Sequence, residues 1–200
     1  MDTSNNRILF SKQGYWLLFV ITAFPIHLWA YIQLFQDISW MKDRVNELGL
    51  IAAISYALSF ALIESIFLFL IIVPISFLTP KSWTIKKRVV FCGILITFAS
   101  LWAMAAQFYL HPTALWETPI FGLILNLLRR TYLRYVFVLI ITVISFGIPA
   151  YIIYKMDKAV NLIWDFFDRI SILMSIYVFV DVVAIIFVTW RNISAFYNRI

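Results

Sequence analysis

The longest apolar run constrains this chain more than any other feature. Residues 48–79 contain one acidic or basic residue, Glu64, which lies near the middle of the run. An apolar stretch longer than about 18 residues is typical of a membrane-spanning helix. As a helix this run would be about 48 Å long, whereas the apolar core of a bilayer is about 30 Å thick. We therefore predict a transmembrane helix that tilts, kinks or extends beyond the bilayer.

Shorter apolar runs repeat this pattern along the chain. Hydrophobic residues make up 64% of the sequence and charged residues 13%, which departs from the composition of soluble proteins in the direction that membrane spans require. We predict an all-α, polytopic transmembrane helical bundle that forms a single integral membrane domain. A short polar lead at 1–14 precedes the first span, and a charged loop at 36–47 follows it. The predicted spans are 15–35, 48–79, 89–110, 132–154 and 170–190.

The segment 111–130 does not fit the pattern of a full span. Its apolar part, 120–128, is shorter than the roughly 17 residues that a crossing helix needs. We expect one short membrane-embedded or interfacial helix here, with His111 and Glu117 as solvated loop residues. The alternative is a sixth crossing, which would place the C-terminus on the other side of the membrane.

The distribution of Lys and Arg bears on orientation, because cytoplasmic loops are enriched in both. With five spans, the N-terminal side carries nine of them and the opposite side seven; with six spans, the counts are eleven and five. The charge distribution favours six crossings and the segment lengths favour five. Both topologies place the N-terminus in the cytoplasm, on the same side as Lys86, Lys87 and Arg88.

Three ionisable residues inside the predicted spans are the intramembrane polar residues of most interest: His27, Glu64 and Asp181. Charged groups at mid-depth are costly and often functional. Small residues share a helical face with Glu64, so we expect this face to pack on protein and Glu64 to point inward. Two interpretations stay open, a packing clasp or a proton, cation or substrate site. The small residues are Ala53, Ala57 and Ala61.

The three residues also allow pairings between helices. Glu64 and Asp181 are both mid-span on different helices, so contact between them would leave one carboxyl protonated. Such a pair could carry protons, bind a cation or act as a hydrogen-bonded clasp. His27 could instead be the partner of either acid.

The densest basic cluster is Lys86, Lys87 and Arg88, close to Trp83. Its ordinary role is to anchor the protein at the cytoplasmic face of the membrane. The alternative is contact with an anionic lipid headgroup.

Residues 155–169 have the spacing of an amphipathic helix. Lys158, Asn161 and Asp165 fall on one face, opposite Val160 and Ile163. We predict an interfacial helix, either separate from the last span or continuous with it.

Several chemistries are disfavoured by composition. The chain has one cysteine, Cys92, and two histidines, so we predict no disulfide within the chain, no metal site and no cofactor. Its formal charge of +6 comes from basic residues that flank apolar runs, so we predict no nucleic-acid partner.

The sequence therefore favours a non-enzymatic multi-pass membrane protein that acts as a binding, assembly or transport component. Its expected partners are the lipid bilayer and either other membrane subunits or further copies of itself. The alternative is an intramembrane enzyme that acts on a lipid-linked substrate. In that case Glu64 and Asp181 would be its acids, and the basic cluster would hold the headgroup.

Overall fold

A computed structural model describes residues 12–80, 82–110 and 131–197, and these residues fold as five α-helices with no strand among them. The prediction of an all-helical fold is confirmed. The segment 111–130 and most of the polar lead lie outside the described residues. The helices are α1 (Lys12–Lys42), α2 (Glu47–Phe77), α3 (Ile85–Leu110), α4 (Thr131–Lys155) and α5 (Asp157–Tyr197).

Local sequence signals set the ends of these helices. Asn46 caps α2, because its side chain accepts a hydrogen bond from the Gly49 amide at 2.8 Å. Glu47 follows in the first turn, where a negative charge is favourable. Between α4 and α5 the connection is Met156 alone, and its carbonyl accepts from the Ala159 amide.

Helix α1 is longer than predicted. Residues 36–42 belong to its last two turns, although the sequence indicated a loop from 36 to 47. Polar residues in this stretch suggested a loop, but the stretch contains neither Gly nor Pro to end a helix. The extension brings Asp37 onto α1.

Helix α1 lies at the centre of the bundle, where it packs against α2, α3 and α5. α4 lies on the outside and packs against α3 and α5. Short connections reverse the chain between α1 and α2, between α2 and α3, and between α4 and α5. The core residues shared by these helices are mainly aliphatic. They include Leu17, Leu18, Ile21, Ile72, Val89, Cys92, Ile96 and Phe167.

Three helices approach one another closely at Gly93. A Cβ atom added at this position would lie 2.9 Å from Phe167 Cε2 on α5 and 3.0 Å from Ile21 Cγ2 on α1. Both distances are shorter than ordinary van der Waals contacts, so α3 can approach its neighbours here because residue 93 has no side chain. The bundle thus has a packing seam at Gly93, between α3 and its neighbours α1 and α5.

Four of the helices are long and apolar enough to cross a membrane. They comprise α1, α2, the part of α3 from Ile85 to Ala105, and α5. The fourth predicted span, 132–154, falls in α4, where residues 139–155 form a shorter apolar helix. Five or six crossings therefore both stay predictions.

The amphipathic segment before the last span is part of one continuous helix, α5, of 41 residues. Its polar residues Lys158, Asn161 and Asp165 are exposed, as the spacing predicts. Val160 and Phe167 are buried against other helices of the bundle rather than left free for a membrane surface. At about 1.5 Å per residue, α5 is roughly twice as long as a bilayer core is thick.

Gly93→Ala should destabilise the fold by about 1–3 kcal/mol, since the new methyl group overlaps Phe167 and Ile21. The measurement is the free energy of unfolding in bicelles. Adding Phe167→Leu to Gly93→Ala should recover part of the loss by making room for the methyl group.

The matched control is Gly147→Ala on α4, where an added Cβ atom meets nothing within 4 Å. This variant should be neutral, or more stable by up to about 1 kcal/mol through helix propensity. Equal losses at both glycines would contradict the seam at Gly93.

Candidate functional site

The first polar feature is a buried pair between the first and last helices. His27 on α1 and Asp181 on α5 are 1% and 0% exposed, and His27 Nε2 lies 2.7 Å from Asp181 Oδ2. Small and flexible side chains allow this approach, since Ala23 on α1 packs against Met174 on α5 one to two turns earlier. The pair therefore fixes the relative position of α1 and α5 at mid-helix.

The hydrogen bonds restrict where protons can lie. His27 Nδ1 is 2.8 Å from the Ala23 carbonyl, and because a carbonyl only accepts, Nδ1 must carry a proton. One further proton then lies between Nε2 and Asp181 Oδ2. The pair is either imidazolium with carboxylate or imidazole with carboxylic acid, and its net charge is zero in both forms. A neutral pair is the form that an apolar interior tolerates.

The second oxygen of Asp181 is less well satisfied. Asp181 Oδ1 is buried and has no hydrogen-bond partner among the described residues. Next to the pair, the rings of Tyr31 and Tyr177 are in contact, with centroids 5.3 Å apart. These two tyrosines lie one turn from His27 and Asp181 respectively and extend the polar seam between α1 and α5.

The second polar feature is a groove between α1 and α2 with a volume of about 290 Å³. Its wall includes two carboxylates, Asp37 and Glu64, and the amide of Gln33, all of them exposed. The small side chains on α2 keep the groove open. The lining residues are Ile26, Trp29, Ala30, Gln33, Leu34, Asp37, Met41, Ala53, Ala57, Phe60, Ala61 and Glu64.

The antiparallel course of α1 and α2 orders these residues along the groove. Met41 and Ala53 lie at the end near the short connection between the helices, whereas Ile26 and Glu64 lie at the far end. About ten residues of α1 separate the level of Glu64 from Asp37, which corresponds to about 15 Å along the axis. The groove thus has one carboxylate near mid-helix and a second closer to the connection.

Neither groove carboxylate has an ion pair or a hydrogen bond within residues 12–80, 82–110 and 131–197. The alanines of the predicted small-residue face line the groove, with Ala61 buried and Ala53 and Ala57 half-buried. Glu64 itself is exposed at the groove, so the expectation that it points into the interior is wrong. The cause is the size of the alanines, which line the space beside Glu64 without filling it.

The structure thus joins two of the three predicted intramembrane residues and separates the third. His27 and Asp181 form a hydrogen bond between α1 and α5, and neither of them lines the groove that holds Glu64. Asp37 was missed in the sequence because it was assigned to a loop. The signal that could have found it is the spacing of Ala30, Gln33 and Asp37, which continues one face of α1.

Lys87 of the basic cluster joins α3 to the corner between α4 and α5. Its Nζ donates to the Tyr154 carbonyl at 2.8 Å and lies 3.3 Å from Asp157 Oδ1. The same ammonium lies over the rings of Trp83 and Tyr154, at 5.7 and 5.9 Å from their centroids. The contacts of Lys87 are thus with Trp83, in the connection before α3, and with the corner between α4 and α5.

The other two residues of the cluster differ in exposure. Arg88 is buried, and its Nη2 donates to the Pro80 carbonyl at 3.3 Å. Lys86 is half-buried, with its ammonium 5.5 Å from the ring centroid of Trp164. Contact of this cluster with an anionic lipid stays a prediction.

Comparison with known proteins does not assign this chain to a family. The chain matches no family model, and neither the curated proteins nor the solved structures give a significant match. Among the described residues, no group of three or more His, Cys, Asp or Glu side chains could hold a metal ion.

Asp181→Ala should cost about 3–5 kcal/mol of unfolding free energy, because it leaves His27 buried without its partner. Asp181→Asn should cost clearly less, since the amide can donate to Nε2 of a neutral imidazole while Nδ1 keeps its bond to Ala23. The measurement is reversible unfolding in bicelles, and Asp168→Asn on the exposed face of α5 is the control.

The control should change the unfolding free energy by no more than about 0.5 kcal/mol. If Asp181→Asn were as damaging as Asp181→Ala, the charge of the carboxylate rather than the hydrogen bond would hold α1 to α5.

Proposed function

We propose that this protein is a multi-pass membrane protein, without enzymatic activity, that binds or transports a ligand held in the groove between α1 and α2. Four helices long and apolar enough to cross a bilayer support the membrane assignment. Large exposed apolar side chains support it as well; Leu78, for example, is 84% exposed. Lipid tails or other membrane subunits would cover such surfaces.

The observation that carries the proposal is Glu64 in its groove. A carboxylate in the middle of an apolar helix is costly unless it gains a proton or a positively charged partner. The described residues supply no such partner. The groove beside Glu64 has a volume of about 290 Å³. This is close to the lower limit of about 300 Å³ for ligand pockets, so a small molecule from outside the chain can reach the carboxylate there.

The buried pair has a supporting role in this proposal. Because α1 contributes one wall of the groove and also His27, the bond to Asp181 holds that wall in place. We assign the pair to positioning of α1, and the groove to ligand binding. The N-terminus is proposed to be cytoplasmic, on the basis of the distribution of Lys and Arg.

The alternative function, an intramembrane enzyme, requires two acids that act together on one substrate. Asp181 is engaged with His27 in the interior, whereas Glu64 lies on the groove, so the two carboxylates have different surroundings. The described residues therefore offer no observation that favours catalysis by this pair.

Blocking the groove tests the proposal. Ala57→Trp places an indole in the groove, and Ala99→Trp places the same side chain on the exposed face of α3, where the groove does not extend. Native mass spectrometry of the three proteins, released from detergent, reports any bound small molecule. We expect an adduct on the wild type and on Ala99→Trp, and at least a fivefold lower occupancy on Ala57→Trp.

Two results would contradict the proposal. One is an adduct of equal occupancy on Ala57→Trp, which would place the ligand elsewhere. The other is wild-type protein that carries no bound molecule after purification in several mild detergents.

A further inference from the structure

We infer that the groove between α1 and α2 takes a slender amphiphile with a positively charged head, an alkylammonium in chemical terms, whose head pairs with Glu64. This inference rests on the proposed function and adds the chemical class of the ligand. It is carried by the charge, the shape and the aromatic residues of the groove.

The charged residues of the groove indicate the sign of the charge on the ligand's headgroup. The groove wall holds the two carboxylates Asp37 and Glu64, and its lining includes no Lys, Arg or His among the described residues. This is notable in a chain whose formal charge is +6. In surroundings of low dielectric, an unscreened carboxylate attracts a cation strongly and repels an anion. An acidic headgroup would therefore meet repulsion at both levels of the groove.

Shape limits the tail that is attached to the head. The groove has about 290 Å³, and it extends over the stretch of α1 from Ile26 to Met41. A single narrow chain fits such a space. Ala53, Ala57 and Leu34 give that chain an apolar wall.

Aromatic side chains suit an ammonium head. Phe60 precedes Glu64 by one helical turn and lies on the same face, and both line the groove. Trp29 lines the opposite wall on α1. Faces of aromatic rings attract ammonium groups, most strongly where water is excluded. Glu64 together with Phe60 therefore forms a site that favours an alkylammonium over a neutral head of equal size.

The second carboxylate, Asp37, lies on the path that the charged headgroup would follow to Glu64. Asp37 lies nearer to the α1–α2 connection, and Gln33 lies between it and Glu64 along α1. A cationic head can pass from one carboxylate to the next without crossing an entirely apolar wall. The order Asp37, Gln33, Glu64 leads from the end of the helices toward their middle.

Spin-labelled amphiphiles test this inference in nanodiscs of phosphatidylcholine. The three probes share one nitroxide-labelled alkyl chain and carry a trimethylammonium, a sulfate or a maltoside head. Electron paramagnetic resonance separates probe immobilised on the protein from probe that is free in the lipid. We expect saturable immobilisation of the ammonium probe, with affinity about tenfold or more above that of the sulfate probe, as charge-assisted contacts give.

Variants assign the binding to Glu64. Glu64→Gln should lower the affinity for the ammonium probe about tenfold, whereas Glu64→Asp, which keeps the charge, should stay within about threefold of wild type. Asp168→Asn, which removes an exposed carboxylate of α5 outside the groove, should leave it unchanged. Thermal unfolding of each variant reports whether it is folded.

The outcomes separate this inference from the proposed function. If Ala57→Trp abolishes immobilisation but the three probes bind equally and Glu64→Gln has no effect, the groove binds ligands and the inference about a cationic head is wrong. If neither Ala57→Trp nor Glu64→Gln changes the immobilisation of any probe, both the inference and the proposed function are wrong.

Discussion

The hydrogen bond between His27 and Asp181 joins the first helix to the last, and the arrangement of the bundle depends on it. Both side chains are fully buried, so each would be a costly group in an apolar interior without the other. Together they are neutral in either protonation form. The bond therefore holds α1 and α5 together in one register at this level.

Helix α1 connects this bond to the rest of the molecule. One side of α1 carries His27, another side contacts Gly93 through Ile21, and a third forms the wall of the groove. Its most extensive packing is against α2, and it also packs against α3 and α5. The groove is therefore a gap within a packed helix pair, at a place where alanines rather than larger residues of α2 line it.

The all-helical fold followed from apolar runs of the right length, and the three polar candidates His27, Glu64 and Asp181 were chosen by their position within those runs. The sequence could not show which of them meet, since His27 and Asp181 are separated by 154 positions. Asp37 was also not predicted as a groove residue. Charged residues next to a predicted span are typical of a loop, whereas here they form the last turns of a long helix. The exposure of Glu64 depends on how tightly α1 and α2 approach, and helical periodicity carries no information on that distance.

The separation of the buried pair along the chain also has a consequence for biosynthesis. His27 leaves the ribosome 154 residues before Asp181, which at ordinary elongation rates is a delay of roughly 8–30 s. For that interval α1 has no carboxylate from α5 to meet its imidazole. In that interval α1 can pack against α2 and α3, but its contact with α5 has yet to form. Native packing of the bundle is therefore complete only after α5 has been synthesised. A chain truncated before Asp181 would leave the buried His27 without its hydrogen-bond partner.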